Sequence, residues 1–138
     1  MNKQRVLFLC THNSARSQMA EGFLRSMAGD RFDVASAGTE ATQVHPLAVR
    51  AMMEIGVDVS RHTSKIVDQF VAQPWDYVIT VCDAANEACP MFPKKSSRLH
   101  WSFDDPSQAT GSDDQKLEVF RQVRDQIKRR IADWIRAE

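Results

Sequence analysis

Several things are scarce in this 138-residue chain, and each scarcity excludes something. Neither sign of charge prevails: eighteen Lys and Arg meet eighteen Asp and Glu, which argues against a nucleic-acid partner held by bulk electrostatics. No apolar run approaches the roughly 20 residues that cross a bilayer, so no membrane partner is expected. Met1-Asn-Lys-Gln-Arg5 runs straight into a short apolar segment without a cleavage pattern, so no secretory signal is expected and a cytoplasmic location is. Three cysteines are an odd number and too few for a disulfide framework, which leaves reactive or metal-binding thiols as the question. There are only five glycines, and no Gly-x4-Gly-Lys-Ser/Thr string, so a nucleotide phosphate loop of that kind is excluded. Repeats, low-complexity tracts and linkers are also absent. What remains is 43% hydrophobic and 26% charged, enough for one filled core and too short for two ordinary domains. Residues 1–138 are therefore expected to form a single domain.

Strands and helices alternate along the chain. Val6–Cys10 is a continuous apolar run, the pattern of a strand buried on both faces. Ala15–Ala28 follows as a helix with Met19, Phe23, Leu24 and Met27 at helical spacing, closed by Gly29-Asp30. Phe32–Gly38 reads as a second strand. Pro46 opens a helix ending at Gly56, with Met52, Met53 and Ile55 among its apolar residues. A short helix is expected around Ile66–Phe70 and a third strand over Tyr77–Cys82. An irregular stretch with Pro90 and Pro93 then leads to a weaker strand, Arg98–Phe103. In the last helix Leu117, Phe120, Val123, Ile127, Ile131, Trp134 and Ile135 form one stripe, while Arg121, Arg124, Lys128, Arg129 and Arg130 read as a solvated face. Met19, Met27, Met52 and Met53 are assigned to helix core faces. The sum is an α/β domain of three layers, a parallel sheet flanked by helices.

In such sheets ligands bind beyond the carboxyl ends of the strands. Cys10 ends the first strand, and the spacing Cys10-x5-Arg16, followed by Ser17, sets a thiol, a run of backbone N–H groups and a guanidinium around one small volume. The N–H groups at a helix start form an anion site, and Arg16 can grip two oxygens of a tetrahedral oxyanion. The same field favours a thiolate at Cys10, and Ser17 can donate to that sulfur. Thr11, His12, Asn13, Ser14 and Ala15 complete the loop as candidate substrate-binding residues. None of the five glycines lies within it, so Asn13 is the candidate for a left-handed turn. The bland alternative is a buried strand-end thiol beside an ordinary helix cation.

Cys82 and Cys89 carry three readings: partners in thiol exchange, zinc ligands with His100 and Cys10, or unrelated core cysteines. Their six-residue gap is wider than zinc spacing prefers. The segment between them, Ala84-Ala-Asn-Glu-Ala88, carries no bulky anchor and suits refolding during exchange. Asp105 precedes Pro106, which aims its carboxylate; it can serve as a general acid if its site raises its pKa. Ser107–Thr110 contains no aromatic residue, which suits a small inorganic oxyanion better than a phosphotyrosine. His62, Glu21 and Ser36 read as hydrogen-bond supports of the loop.

The string Cys10-Thr-His-Asn-Ser-Ala-Arg-Ser-Gln-Met-Ala-Glu-Gly22 resembles the signature loop and first helix of the low-molecular-weight tyrosine phosphatase superfamily. Within it, Ser36-Ala-Gly-Thr39, His62-Thr-Ser64, Val81-Cys-Asp-Ala84 with Cys89-Pro90, His100–Pro106 and Phe120–Ile127 are most similar to the thioredoxin-coupled arsenate reductases. The likeness runs from about Val6 to the last helix. It departs at His12, where the family often has glycine, and at Ala15, where it often has a second cysteine. The resemblance implies a four-stranded parallel sheet. It also implies reduction of arsenate (phosphate or sulfate as analogues) without metal or flavin. Cys10 attacks the oxyanion, Cys82 attacks Cys10 and releases arsenite, and Cys89 resolves the bond to Cys82–Cys89. Thioredoxin or glutaredoxin would regenerate the thiols. In that family the aspartate matching Asp105 is the general acid. The Cys82/Cys89 pair separates this reading from the alternatives, a low-molecular-weight phosphatase or a non-catalytic oxyanion or redox sensor.

Overall fold

A computed structural model of the chain describes residues 3–87, 89–90, 92 and 96–138, with Asn86 described by its backbone alone. The expected Pro93 and the end of the stretch at Ala88 lie outside the described residues, as does the extreme N-terminus. Four strands, β1 (Gln4–Cys10), β2 (Phe32–Gly38), β3 (Tyr77–Thr80) and β4 (Ser97–His100), form one sheet in the order β2-β1-β3-β4, every pairing parallel. Among the described residues four α-helices accompany them: α1 (Arg16–Ala28), α2 (Pro46–Met53), α3 (Asp83–Glu87) and α4 (Asp113–Ala137). The expected α/β architecture, a four-stranded parallel sheet flanked by helices, is what the chain adopts.

Central position explains the composition of β1. With β2 on one side and β3 on the other, its Val6, Leu7 and Phe8 are wholly buried, and a run of apolar residues is the only pattern that suits both faces. The β1-α1-β2 and β3-α3-β4 units step away from β1 and β3 in opposite directions. Right-handed crossovers therefore send α1 and α3 to opposite faces. Helix α4 packs against α1 and α2. It starts at a capping box, Ser112 accepting from the Gln115 N–H and Gln115 accepting from the Ser112 N–H. Its stripe Leu117, Phe120, Val123, Ile127, Ile131 and Trp134 is buried as expected.

Four expectations are corrected. Arg124 is not on a solvated face: it is 8% exposed and donates to Ala51 O (2.9 Å) and Glu54 (3.0 Å) where α4 crosses α2. Met27 and Met53 are 41% and 48% exposed, because they fall on the last turns of α1 and α2, where each helix outruns the layer covering it; Met19 and Met52 are core residues. β3 and β4 are shorter than expected. β3 ends at Thr80, with Val81 N still donating to Leu9 O (2.9 Å), because Cys82 begins the turn into α3. β4 ends at His100, after which the chain turns toward β1's carboxyl end. The stretch after Cys82 is a short helix rather than irregular, anchored by the small Ala85, which is fully buried.

Candidate active site

The sheet order reverses direction between β1 and β3, and there the strand ends open a crevice. β1 delivers Cys10 to it. The loop 11–15 then reverses the chain at Asn13, whose φ of 49° is the left-handed turn expected of it. Asn13 is fully buried and its Nδ2 donates to Ser17 Oγ (2.8 Å) and Ser36 Oγ (2.9 Å). Ala15 caps α1 without any side-chain bond, so no side chain engages the helix's first N–H groups as a cap. Arg16, the first helical residue, is 9% exposed. Its Nη1 donates to Phe103 O (3.1 Å), its Nη2 lies 3.4 Å from Asp105 Oδ2, and its buried Nε has no partner among the described residues. Asp105 caps a 3-10 turn, Pro106–Gln108, accepting from Ser107 N (3.0 Å) and Ser107 Oγ (2.7 Å). Burial pushes its carboxyl up, but the Ser107 bonds and the Arg16 charge outweigh burial and hold it below the usual range. Cys10, His12, Ser14, Arg16, Asp105 and Ser107 together line a narrow hollow.

Because β3 pairs with β1 up to Leu9↔Thr80, Cys82 emerges beside Cys10 although 72 residues separate them in sequence. The two thiols interact closely enough to titrate together, and Thr11 Oγ1 lies 3.3 Å from Cys82 Sγ. Its interaction with Cys82 and its burial raise the Cys10 pKa, against the pull of Arg16. The same interaction draws Cys82 down to about 5, helped by Thr11, the Ala85 N–H and Arg16. The loop alone favours a thiolate at Cys10; with Cys82 beside it, the first thiolate belongs to the pair. Both sulfurs answer to one proton, so the pair loses its first proton readily and its second with difficulty. Cys89 is half-buried, with its Sγ directed at Pro90 O (3.6 Å) and its pKa raised by burial. It is not in the cluster formed by Cys10, Cys82, Arg16 and Asp105.

A strand-end cysteine, an uncapped helix start with arginine at its first position and an Asp-Pro turn across the crevice are one constellation. Residues 5–138 match the model of the low molecular weight phosphotyrosine protein phosphatase family. The chain belongs to that family. It shares 53% identity over 131 residues with an arsenate reductase of Halalkalibacterium halodurans, covering 95% of this chain and 94% of the relative. A solved arsenate reductase in the phosphate binding state superposes with a TM-score of 0.81 at 38% identity, covering 97% of this chain and 98% of that one. A thioredoxin-dependent arsenate reductase of Corynebacterium glutamicum gives 0.77 at 30% identity, over 98% of this chain and 61% of that longer one. Within the phosphatase family the chain therefore groups with arsenate reductases.

Measured on this family's loop, the remaining expectations divide. His12 lines the hollow but is half-exposed, its Nε2 3.3 Å from Glu40 Oε2. Ser17 Oγ accepts from Asn13, and among the described residues it makes no bond to Cys10. His100 turns to Thr80 Oγ1 (2.7 Å) and Asp83 Oδ1 (2.8 Å). Ser36, Glu21 and His62 do support the loop: Ser36 receives from Asn13 and donates to Glu21 (2.5 Å), and Glu21 Oε2 lies 3.7 Å from His62 Nε2. Two participants were not singled out from sequence. The Phe103 carbonyl that holds Arg16 has no side-chain signal at all. Gln18, fully buried, had one: Ser17, Gln18 and Glu21 place three polar residues where an amphipathic helix should turn its apolar face.

Proposed function

We propose that this protein reduces arsenate to arsenite through a Cys10–Cys82–Cys89 relay regenerated by thioredoxin or glutaredoxin, with residues 1–138 acting as one domain in the cytoplasm. The observation that carries the reading is Cys82 set beside the Cys10 loop, its Sγ 3.3 Å from Thr11 Oγ1, since phosphoryl hydrolysis requires Cys10 and no second thiol. The loop residues Thr11 to Ser17 hold the oxyanion through their N–H groups, and Arg16, whose Nε has no partner among the described residues, closes around it. The incoming dianion draws the Arg16 guanidinium from Asp105 and adds negative charge beside that carboxyl. Both changes raise its pKa from the depressed, ionised state. Protonated Asp105 then gives its proton to the departing oxygen.

Cys10 hands its proton to Cys82 or solvent and attacks arsenic as the thiolate; one oxygen leaves as water. A Cys82 thiolate next attacks Cys10 Sγ, the S–As electron pair passes to arsenic, and arsenite departs. Cys89 attacks Cys82 Sγ, which releases the Cys10 thiolate and leaves a Cys82–Cys89 disulfide. Two electrons reach arsenic and two come from the thiols. The five residues of α3 lie between Cys82 and Cys89 and rise about 7.5 Å, and a disulfide needs Cα atoms within about 7 Å, so this last exchange calls for α3 to loosen. A dithiol reductant of the thioredoxin type then restores both cysteines; the thioredoxin dependence named for the Corynebacterium relative supports that choice.

Arsenate-dependent NADPH oxidation with thioredoxin and its reductase, compared with a glutaredoxin–glutathione system, tests the activity. Peptide mapping after alkylation tests the relay. Cys89→Ser should trap a Cys10–Cys82 disulfide with one arsenite per chain, and Cys82→Ser should accumulate no Cys10–Cys89 bond. Wild type left without reductant should end as Cys82–Cys89 with a free Cys10. Three free thiols after arsenate would refute the relay. A second reading, weak hydrolysis of aryl phosphates, is favoured by a hollow next to Ser107 walled by His45, Pro46, Leu47 and Phe120. These residues supply the apolar and aromatic wall missing from 107–110. Hydrolysis that persists in Cys82→Ser and Cys89→Ser would support it.

A further inference from the structure

Asn13 is the only residue other than glycine with positive φ among the described residues, and such a conformation persists only when its surroundings hold it. Its side chain's donors go to Ser17 and Ser36, as above. Both of its acceptors meet Gln18, and Oδ1 meets Lys65 N as well. Gln18 Nε2 lies 2.9 Å from Asn13 Oδ1, 3.1 Å from Asn13 O and 3.0 Å from Thr63 O. Three acceptors around one nitrogen leave no room for the flipped amide, whose oxygen would face three oxygens. The orientation of Gln18 is therefore determined, and its Oε1 must accept from His62 Nδ1, 3.0 Å away. That places the proton of neutral His62 on Nδ1 and makes Nε2 an acceptor, which Arg25 Nη1 meets at 3.1 Å. Arg25 is itself held by Glu21 (2.7 Å) and Val34 O (2.7 Å). A chain of single-sense hydrogen bonds thus runs from Arg25 through His62 and Gln18 to the turn of the loop.

We infer that Gln18 is a positioning residue for oxyanion binding: its amide, oriented by His62, holds Asn13 in the left-handed turn that directs the loop's N–H groups toward the anion. This rests on the proposed oxyanion role of the loop but not on arsenate turnover. Asn13 Oδ1 also accepts from Lys65 N (2.9 Å) and Thr63 O from Lys65 Nζ (2.8 Å), so removal of Gln18's amide takes the partner from two groups, the Asn13 carbonyl in the loop and the His62 Nδ1–H. The loss should therefore fall on loop geometry more than on the fold.

The test uses inorganic phosphate as the probe, with its dissociation constant read by calorimetry, and arsenate kinetics alongside. Gln18→Met keeps length and volume while removing both polar atoms. It should weaken phosphate about tenfold or more and raise the arsenate KM similarly, with a smaller fall in kcat, since a displacement of about 1 Å in an anion cradle is costly. Unchanged phosphate affinity in a folded Gln18→Met protein would overturn the inference. Gln18→Glu supplies the second measurement. A protonated carboxyl can donate to Asn13 as the amide does, and an ionised one cannot. The charged groups around this position are Glu21 and Arg25 from α1 and Asp58, His62 and Lys65 from the segment after α2. The affinity ratio of Gln18→Glu to wild type should recover toward unity as pH falls from about 8 to about 5, across the range a buried carboxyl can titrate. A ratio flat with pH would overturn the inference even if Gln18→Met failed to fold. If wild type binds phosphate but reduces no arsenate, the functional reading fails while these phosphate measurements still judge Gln18.

Discussion

Replacing Gly38 with alanine should damage the anion loop more than the fold. Gly38 ends β2 directly opposite Cys10, and its N–H donates to Lys65 O on its other side (2.8 Å), so its backbone is clamped from both edges. A Cβ there would lie 2.6 Å from Thr11 O, 2.6 Å from Glu40 O and 2.7 Å from Asn13 N. All three are backbone atoms, and ordinary contact begins at 3.4 Å, so the overlap is about 0.8 Å on each oxygen. With β2 held in register, relief must come from the 11–13 loop. Overpacking of this kind costs about 1–3 kcal/mol of stability, and a shift of that size in a positioned site costs about a hundredfold in rate. Gly56→Ala is the matched control. Nothing lies within 4 Å of its Cβ, but its φ of +80° strains any side chain, so it should lose about 1–2 kcal/mol with no change in the loop. Urea denaturation gives the stabilities, and phosphate binding with arsenate turnover gives the site. If Gly38→Ala loses stability but binds phosphate as wild type does, the strain relaxes into the sheet and the coupling of Gly38 to the loop is refuted.

Arg16→Lys should abolish phosphate binding at concentrations that saturate wild type, because an ammonium cannot make the planar two-pronged contact; near-normal affinity would remove the proposed cradle. In the reduced, anion-free protein, thiolate absorbance in the ultraviolet should rise by one equivalent with a midpoint of about 5. Cys82→Ser should lose that step, and a wild-type midpoint near the ordinary thiol value would contradict the shared proton. Glu54, held down to about 2 first by its bond with Arg121 and also by Arg124, contributes stability above its unfolded value that is lost as pH falls through about 4.5 toward 2. Acid unfolding should accordingly be less steep in Glu54→Gln over that window, and identical slopes would refute the assignment.

Local chemistry alone determined a good deal of this protein. β1 is legible because a strand buried on both faces must be apolar throughout, and α4 because a stripe at helical spacing must face a core. The Cys10-to-Arg16 loop is legible for a similar reason. Strand end, turn and helix start are neighbours in sequence, so the spacing itself brings thiol, N–H groups and guanidinium together, and Asn13 is the loop residue best suited to turn left-handed. Tertiary structure decided whatever depends on which segments lie side by side. Only the β2-β1-β3-β4 order sets Cys82 against Cys10 and couples their titration, because strand adjacency leaves no mark in the local pattern of either strand. The crossing of α4 over α2 turns Arg124 from a surface cation into a buried partner of Ala51 and Glu54, and the ends of α1 and α2 leave Met27 and Met53 in solvent. The fixed amide of Gln18 belongs to the same class: it is set by Thr63 and His62 from a remote segment, and burial makes those few contacts count.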